Sequence, residues 1–126
     1  MKGAVIMVVQ FYNPKLKSNK KYHGEIKRYT LDKERKIFRV YVVLDEVPEI
    51  EYMKRFEFDL NVSSELGEFL DNTYVLSEDG LADFDDLEGL RVIVKLKKGT
   101  NDKFYVNMIC LDDEYYEQKE SDYEEN

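Results

Sequence analysis

One cysteine cannot close a disulfide within the chain, and the lone histidine gives it no partner at zinc-ligand spacing. Cys110 sits in FYVNMICL, an apolar strand pattern, so it reads as a buried thiol in a protein suited to the reducing cytoplasm. Two prolines and six glycines leave little room for long linkers. No apolar run approaches the roughly 20 residues of a membrane-spanning helix, so no membrane partner is expected. Ala4–Val9 is too short for the core of a signal peptide and no small-residue cleavage site follows it. That β-branched run reads instead as a buried strand. Catalytic patterns are missing too: there is no glycine-rich phosphate loop and no Ser/His/Asp or Cys/His arrangement. The acids of DFDDLE (Asp83, Asp85, Asp86 and Glu88) lack the partners of a magnesium-dependent nuclease and read as a solvated connector. The expectation is a protein without catalytic residues, metal or other cofactor.

What is present is a chain of 126 residues, 43% hydrophobic and 13% aromatic, enough to bury a continuous core within one domain. The net charge of −8 is spread unevenly. Residues 1–58 carry 13 Lys/Arg against 8 Asp/Glu, and residues 59–126 carry 6 against 19. Within the second half, residues 111–126 hold eight acids and a single lysine, Lys119. An asymmetry of this kind between halves is an interaction signal.

Hydrophobic periodicity divides the chain into six strands and one helix. Ala4–Tyr12 reads as a first strand, followed by a lysine-rich loop, NPKLKSNKK. Tyr22–Leu31 is a second strand, Asp32–Arg35 a charged turn, and Lys36–Asp45 a third strand. In that third strand Phe38, Val40, Val42 and Leu44 alternate with Ile37, Arg39, Tyr41 and Val43. After Pro48, Ile50–Leu60 forms a fourth strand with Tyr52, Phe56, Phe58 and Leu60 on one side and Met53, Arg55 and Glu57 on the other. VSSELGEFLDN changes period: Ser63 or Ser64 caps a short helix with Leu66, Phe69 and Leu70 as its apolar stripe. In the acidic connector SEDGLADFDDLEG, Leu81, Phe84 and Leu87 are the expected anchors onto the core. Leu90–Leu96 and Lys103–Leu111 are the last strands, joined by the turn KGTND. Residues 112–126 have no apolar period and read as a mobile acidic tail after a domain of residues 1–111.

With the first strand set aside or merged into the second, three strands, a helix and a hairpin remain. That order predicts a mainly β fold, an OB-fold-like Greek-key barrel of five to six strands with one short helix between the third and fourth barrel strands. The segments GEIKRYTLDKERKIFRVYVVLDE, IEYMKRFEFDL, SSELGEFLDN and DLEGLRVIVKLKKGTNDKFYVNMICL, spanning about residues 22–111, resemble OB-fold proteins that bind single-stranded DNA, above all the small replication-associated ones of phages and mobile elements. The resemblance implies a single-stranded DNA or RNA partner held on the outer face of the second and third barrel strands. The acidic tail is similar to the C-terminal tips by which bacterial single-strand-binding proteins recruit partner proteins, but it ends Tyr-Glu-Glu-Asn where those end in a hydrophobic pair.

Single-strand binding needs cations along the phosphates and aromatic faces for the bases, the latter worth about 1–3 kcal/mol per base. Arg39, Tyr41, Met53 and Arg55 form the expected centre, with Lys27 or Arg28 and Tyr29 on the adjoining strand. Lys15, Lys17, Lys20 and Lys21 of the N-terminal loop and Lys95 and Tyr105 of the last hairpin extend it. His23 has no metal-binding neighbour and reads as an exposed side chain. The tail, carrying Tyr115, Tyr116 and Tyr123, is expected to lie over this basic face and compete with the ligand, or to dock a protein. The competing readings are a solvated sheet face with lysines blunting its edges, a protein-interaction module, and an acidic mimic of DNA that inhibits a DNA-binding protein. Exposed strand edges also suit a homo-oligomer.

Overall fold

Five antiparallel strands form one open sheet in the order β3-β2-β1-β4-β5. They are β1 (Lys21–Asp32), β2 (Ile37–Leu44), β3 (Val47–Glu57), β4 (Arg91–Lys98) and β5 (Phe104–Leu111). Two helices accompany them, α1 (Glu65–Asn72) and α2 (Asp113–Glu124), with a 3-10 turn at Phe84–Leu87. The structure, a computed structural model, describes residues 15–124. The strand expected at Ala4–Tyr12 lies outside the described residues.

The alternation of β2 is realised from Phe38 onward: Phe38, Val40, Val42 and Leu44 are fully buried, and only Ile37 at the strand's start is buried on the other side. They meet Val92, Val94 and Leu96 of β4, Tyr52 and Phe56 of β3, and Leu66, Phe69 and Leu70 of α1 in one core. Phe56 stacks on Phe69 at 4.9 Å between ring centroids, fixing α1 beneath β3. The strands at the ends of the order, β3 and β5, approach within 8 Å Cα–Cα but share no ladder, and α1 touches both.

β1 departs from simple alternation. Its register slips between Ile26 and Arg28, leaving Lys27 without an opposite residue. This extra residue reverses the parity of the strand. Tyr22, Gly24 and Ile26 face inward before it, and Tyr29 and Leu31 face the packed side after it. Gly24 pairs with Leu44 on one side and Val92 on the other. A Cβ there would stand 2.6 Å from the Val43 carbonyl oxygen, so only glycine fits where β1 serves both neighbours.

Ser64 caps α1, its hydroxyl accepting from the Gly67 N–H at 3.0 Å, and Glu65 and Glu68 lie in the first turn, where the helix dipole favours anions. A Cβ on Gly67 would meet the carbonyl oxygens of Asn61 and Val62 at 2.6 Å. Alanine would gain about 1 kcal/mol of helix propensity, yet overpacking against fixed backbone costs about 1–3 kcal/mol. Gly67→Ala should therefore lower the urea midpoint, and an unchanged or raised midpoint would show that the Asn61–Val62 loop gives way.

Three apolar expectations change. β3 ends at Glu57, so Leu60 escapes the strand and stands exposed, with Phe58 only half-buried. Pro48 lies inside β3, tolerated because it is exposed on an edge strand. Of the three connector anchors, Leu87 is fully buried and Phe84 packs on Phe38 at 4.8 Å, but Leu81 is exposed. The segment expected as a mobile tail is helical over Asp113–Glu124. Its start is fixed by Asp112, a buried carboxylate that accepts from the Tyr115 N–H at 3.2 Å and contacts His23 Nδ1 at 2.8 Å.

Candidate nucleic-acid interface

Because β2 buries its even-numbered residues, Arg39 and Tyr41 point away from the core, and strand register sets their neighbours. Tyr41 lies between Arg28 of β1 and Met53 of β3, and Arg39 between Thr30 and Arg55. The four residues expected at the centre of the site, Arg39, Tyr41, Met53 and Arg55, are thus assembled in two adjacent rows.

Arg39 and Arg55 are directly opposed. Side chains at such positions are about 4.5–5.5 Å apart at Cβ, and like charges there are destabilising. Among the described residues neither guanidinium enters an ion pair or a side-chain hydrogen bond. The Thr30 hydroxyl in the same row is buried and has no hydrogen-bond partner among the described residues. A row of two cations without a carboxylate partner is a place for an anion with several acceptor oxygens, such as a phosphate.

Tyr41 is engaged differently. The Arg28 guanidinium lies 3.7 Å from the centre of its ring and is gripped by Glu51, with Nη2 2.8 Å from Oε1. That hydrogen bond raises the Arg28 pKa above its ordinary value, so the group stays charged. A base approaching this row meets a guanidinium plane over an aromatic ring, and guanidinium planes also stack on bases.

The other expected residues scatter. Tyr29 turns away from this face because of the bulge: its ring stacks on Phe38 at 5.6 Å and its hydroxyl donates to Asp85 at 2.8 Å. That bond, seconded by desolvation, pushes the phenol pKa up. Lys27 is exposed and 3.0 Å from Glu25. Lys20 is drawn to Glu46 at 3.8 Å and lies over the Tyr22 ring. Lys15 and Lys17 are exposed ahead of β1. Lys21 and Lys95 form a second like-charged cross-strand pair, and Tyr105 is exposed opposite Lys97. This second cationic group is separated from the first by the His23–Ile93–Cys110 row. Cys110 is half-buried rather than fully buried as expected, and desolvation raises its thiol pKa.

Sequence reasoning passed over Lys33 and Arg35, read only as part of a turn, and Lys36, read only as the first residue of the third strand. With Arg55, Phe58 and Leu60, and two acids at its edge, Glu57 and Asp59, they line a cleft of about 770 Å³ beside the Arg39–Arg55 row. The signal was present in DKERK, where five charges crowd a turn that needs only one or two polar residues.

The acidic segment does not begin over this face. Tyr116 Oη accepts from the Arg91 backbone N–H at 3.1 Å, and the Arg91 guanidinium lies over the Tyr115 ring while donating to Asp45 through Nη1 and Nη2. The Arg91 hydrogen bonds hold the Asp45 carboxyl below its ordinary value of 3.8. A depressed carboxyl stabilises the fold above its unfolded-state pKa, and that contribution is lost as pH falls through the folded value. Asp45 is half-exposed, so solvent screening limits the term to under about 1 kcal/mol. Asp45→Asn should cost at most that at neutral pH and flatten the loss of stability below about pH 4, measured by urea unfolding across pH.

Comparison of the chain with family models, with curated proteins and with solved structures returned no match.

Proposed function

We propose that this protein is a non-catalytic binder of single-stranded DNA, acting in replication or recombination, and that it holds the strand on the outer face of β1–β3. The Arg39–Arg55 pair carries the reading: a like-charged cross-strand pair without a counter-anion costs stability, and a bound phosphate removes that cost. The Arg28–Tyr41 stack beside it offers planes for bases, and the Lys33–Lys36 cleft continues the cationic path. The proposed fold is an OB-fold barrel. The helix between β3 and β4, the pairing of β1 with both β2 and β4, and the approach of β3 to β5 support it.

A fluorescence titration with oligo-dT, the matching duplex and oligo-U at two salt concentrations tests the proposal. Single-stranded DNA should bind more tightly than duplex. Each phosphate contact should add about 0.7 to the slope of log affinity against log salt. Equal affinity for duplex, or no binding at low salt, overturns it; tighter binding of oligo-U moves the reading to RNA.

A further inference from the structure

A second surface adjoins the cationic face. Leu60, Val62 and Leu81 are 76%, 63% and 71% exposed, three of the five large apolar side chains that stand out on the described surface. All three border one groove of about 260 Å³, whose floor includes Leu66, Leu70 and Phe84. Isolated exposed leucines are ordinary, but a contiguous apolar patch around a concavity marks an interaction site. The groove falls just below the 300–1,000 Å³ of sites that engulf drug-sized ligands, a size for side-chain anchors rather than a whole small molecule.

The charge around it is of one sign. From Asp59 to Leu90 the chain holds ten Asp/Glu and no Lys, Arg or His, and every residue lining the groove comes from this segment. Asp59 lines the wall, while Asp79 and Asp83 flank the Gly80–Ala82 stretch that forms its lip. An apolar groove in such a setting selects a ligand that supplies apolar anchors and positive charge together, and repels acidic or purely apolar segments by unpaired charge or lack of steering.

The geometry points to a docking site for a basic peptide segment of a partner protein, with one or two aliphatic or aromatic anchors in the groove and flanking Lys/Arg against the acidic rim. Recognition through apolar anchors in a groove is a recurrent mode of peptide binding. The site meets the cationic cleft at Asp59 and Leu60, which border both, so a docked partner would sit beside the nucleic-acid path.

The test is a selection from a random 12-residue peptide library on the full chain, followed by fluorescence anisotropy of the enriched peptides. Expected are peptides pairing Leu, Ile, Met or Phe with two or more Lys/Arg. Replacing their apolar residue with Ser should weaken binding at least tenfold, as should the double variant Val62→Ser/Leu81→Ser. Both side chains are mostly exposed and neither lines the cationic cleft, so the variant keeps the fold, and it should bind oligo-dT as the parent does. Four results overturn the proposal: no enrichment, enrichment without basic residues, affinity indifferent to the peptide's apolar residue, or affinity indifferent to Val62 and Leu81. Concentration-dependent self-association abolished by the double variant also overturns it, by assigning the groove to a second copy of the chain.

Discussion

Arg39→Glu should weaken binding of oligo-dT by about 10²-fold while leaving the protein as stable as before, or slightly more so. The two effects have one origin. In the parent, Arg39 faces Arg55 across β2 and β3, and substitution converts a repulsive pair into an attractive one worth about 0.2–1 kcal/mol. For the ligand the same change removes a charge-assisted hydrogen bond of about 1.5–3 kcal/mol and adds repulsion, and each 1.4 kcal/mol is tenfold in affinity. The double variant Arg39→Glu/Arg55→Glu restores a like-charged pair of the opposite sign. It should return stability to the parent value or below, weaken binding further than Arg39→Glu alone, and reduce the salt slope by about 1.4 relative to the parent. If Arg39→Glu instead destabilises the fold and leaves oligo-dT affinity intact, the pair is structural and the proposed interface is wrong.

Phe38→Ala should have the largest effect on the fold itself. Phe38 is fully buried and contacts two rings, Tyr29 at 5.6 Å and Phe84 at 4.8 Å between centroids. Truncating a buried phenylalanine costs about 3–5 kcal/mol, a large part of the 5–15 kcal/mol typical of a domain. At about 3–4 °C per kcal/mol for this length, the melting midpoint should fall by roughly 10–20 °C. The damage should spread to the acidic connector, whose 3-10 turn is held by Phe84 and Leu87, visible as faster hydrogen exchange there. Phe38→Leu, keeping most of the volume, should cost much less. A small loss for Phe38→Ala would mean that the connector collapses into the cavity.

The strand read most clearly from the sequence, β2, carries the centre of the proposed interface. Its period of two runs unbroken from Phe38 to Leu44, so alternation alone told Arg39 and Tyr41 apart from the core. β1 was harder because one extra residue, Lys27, interrupts its register; nothing local marks the bulge, and Tyr29 was assigned to the wrong face as a result. Leu60 was misplaced for a different reason. Apolar character implies burial only while the element continues, and β3 stops at Glu57. The helical start of the tail was invisible since its restraints are long-range: Asp112 to His23, and Tyr116 to Arg91. No periodicity within residues 112–126 reports such contacts.

The position of β1 between two partners also orders the assembly of the molecule. β1, β2 and β3 follow one another through tight turns and pair as a meander, with Asp32 opposite Ile37 and Leu44 opposite Val47. The β1–β4 ladder joins Lys21 to Lys95 and Glu25 to Arg91, closing loops of about 66–74 residues, and closure entropy grows with loop length. The short-loop pairings are the cheap ones and the β1–β4 ladder the expensive one. Arg28, Arg39, Tyr41, Met53 and Arg55 all belong to the meander, so the cationic face depends on local pairings alone. The sheet's other half, with the acidic helix pinned to Arg91, requires the distant partner.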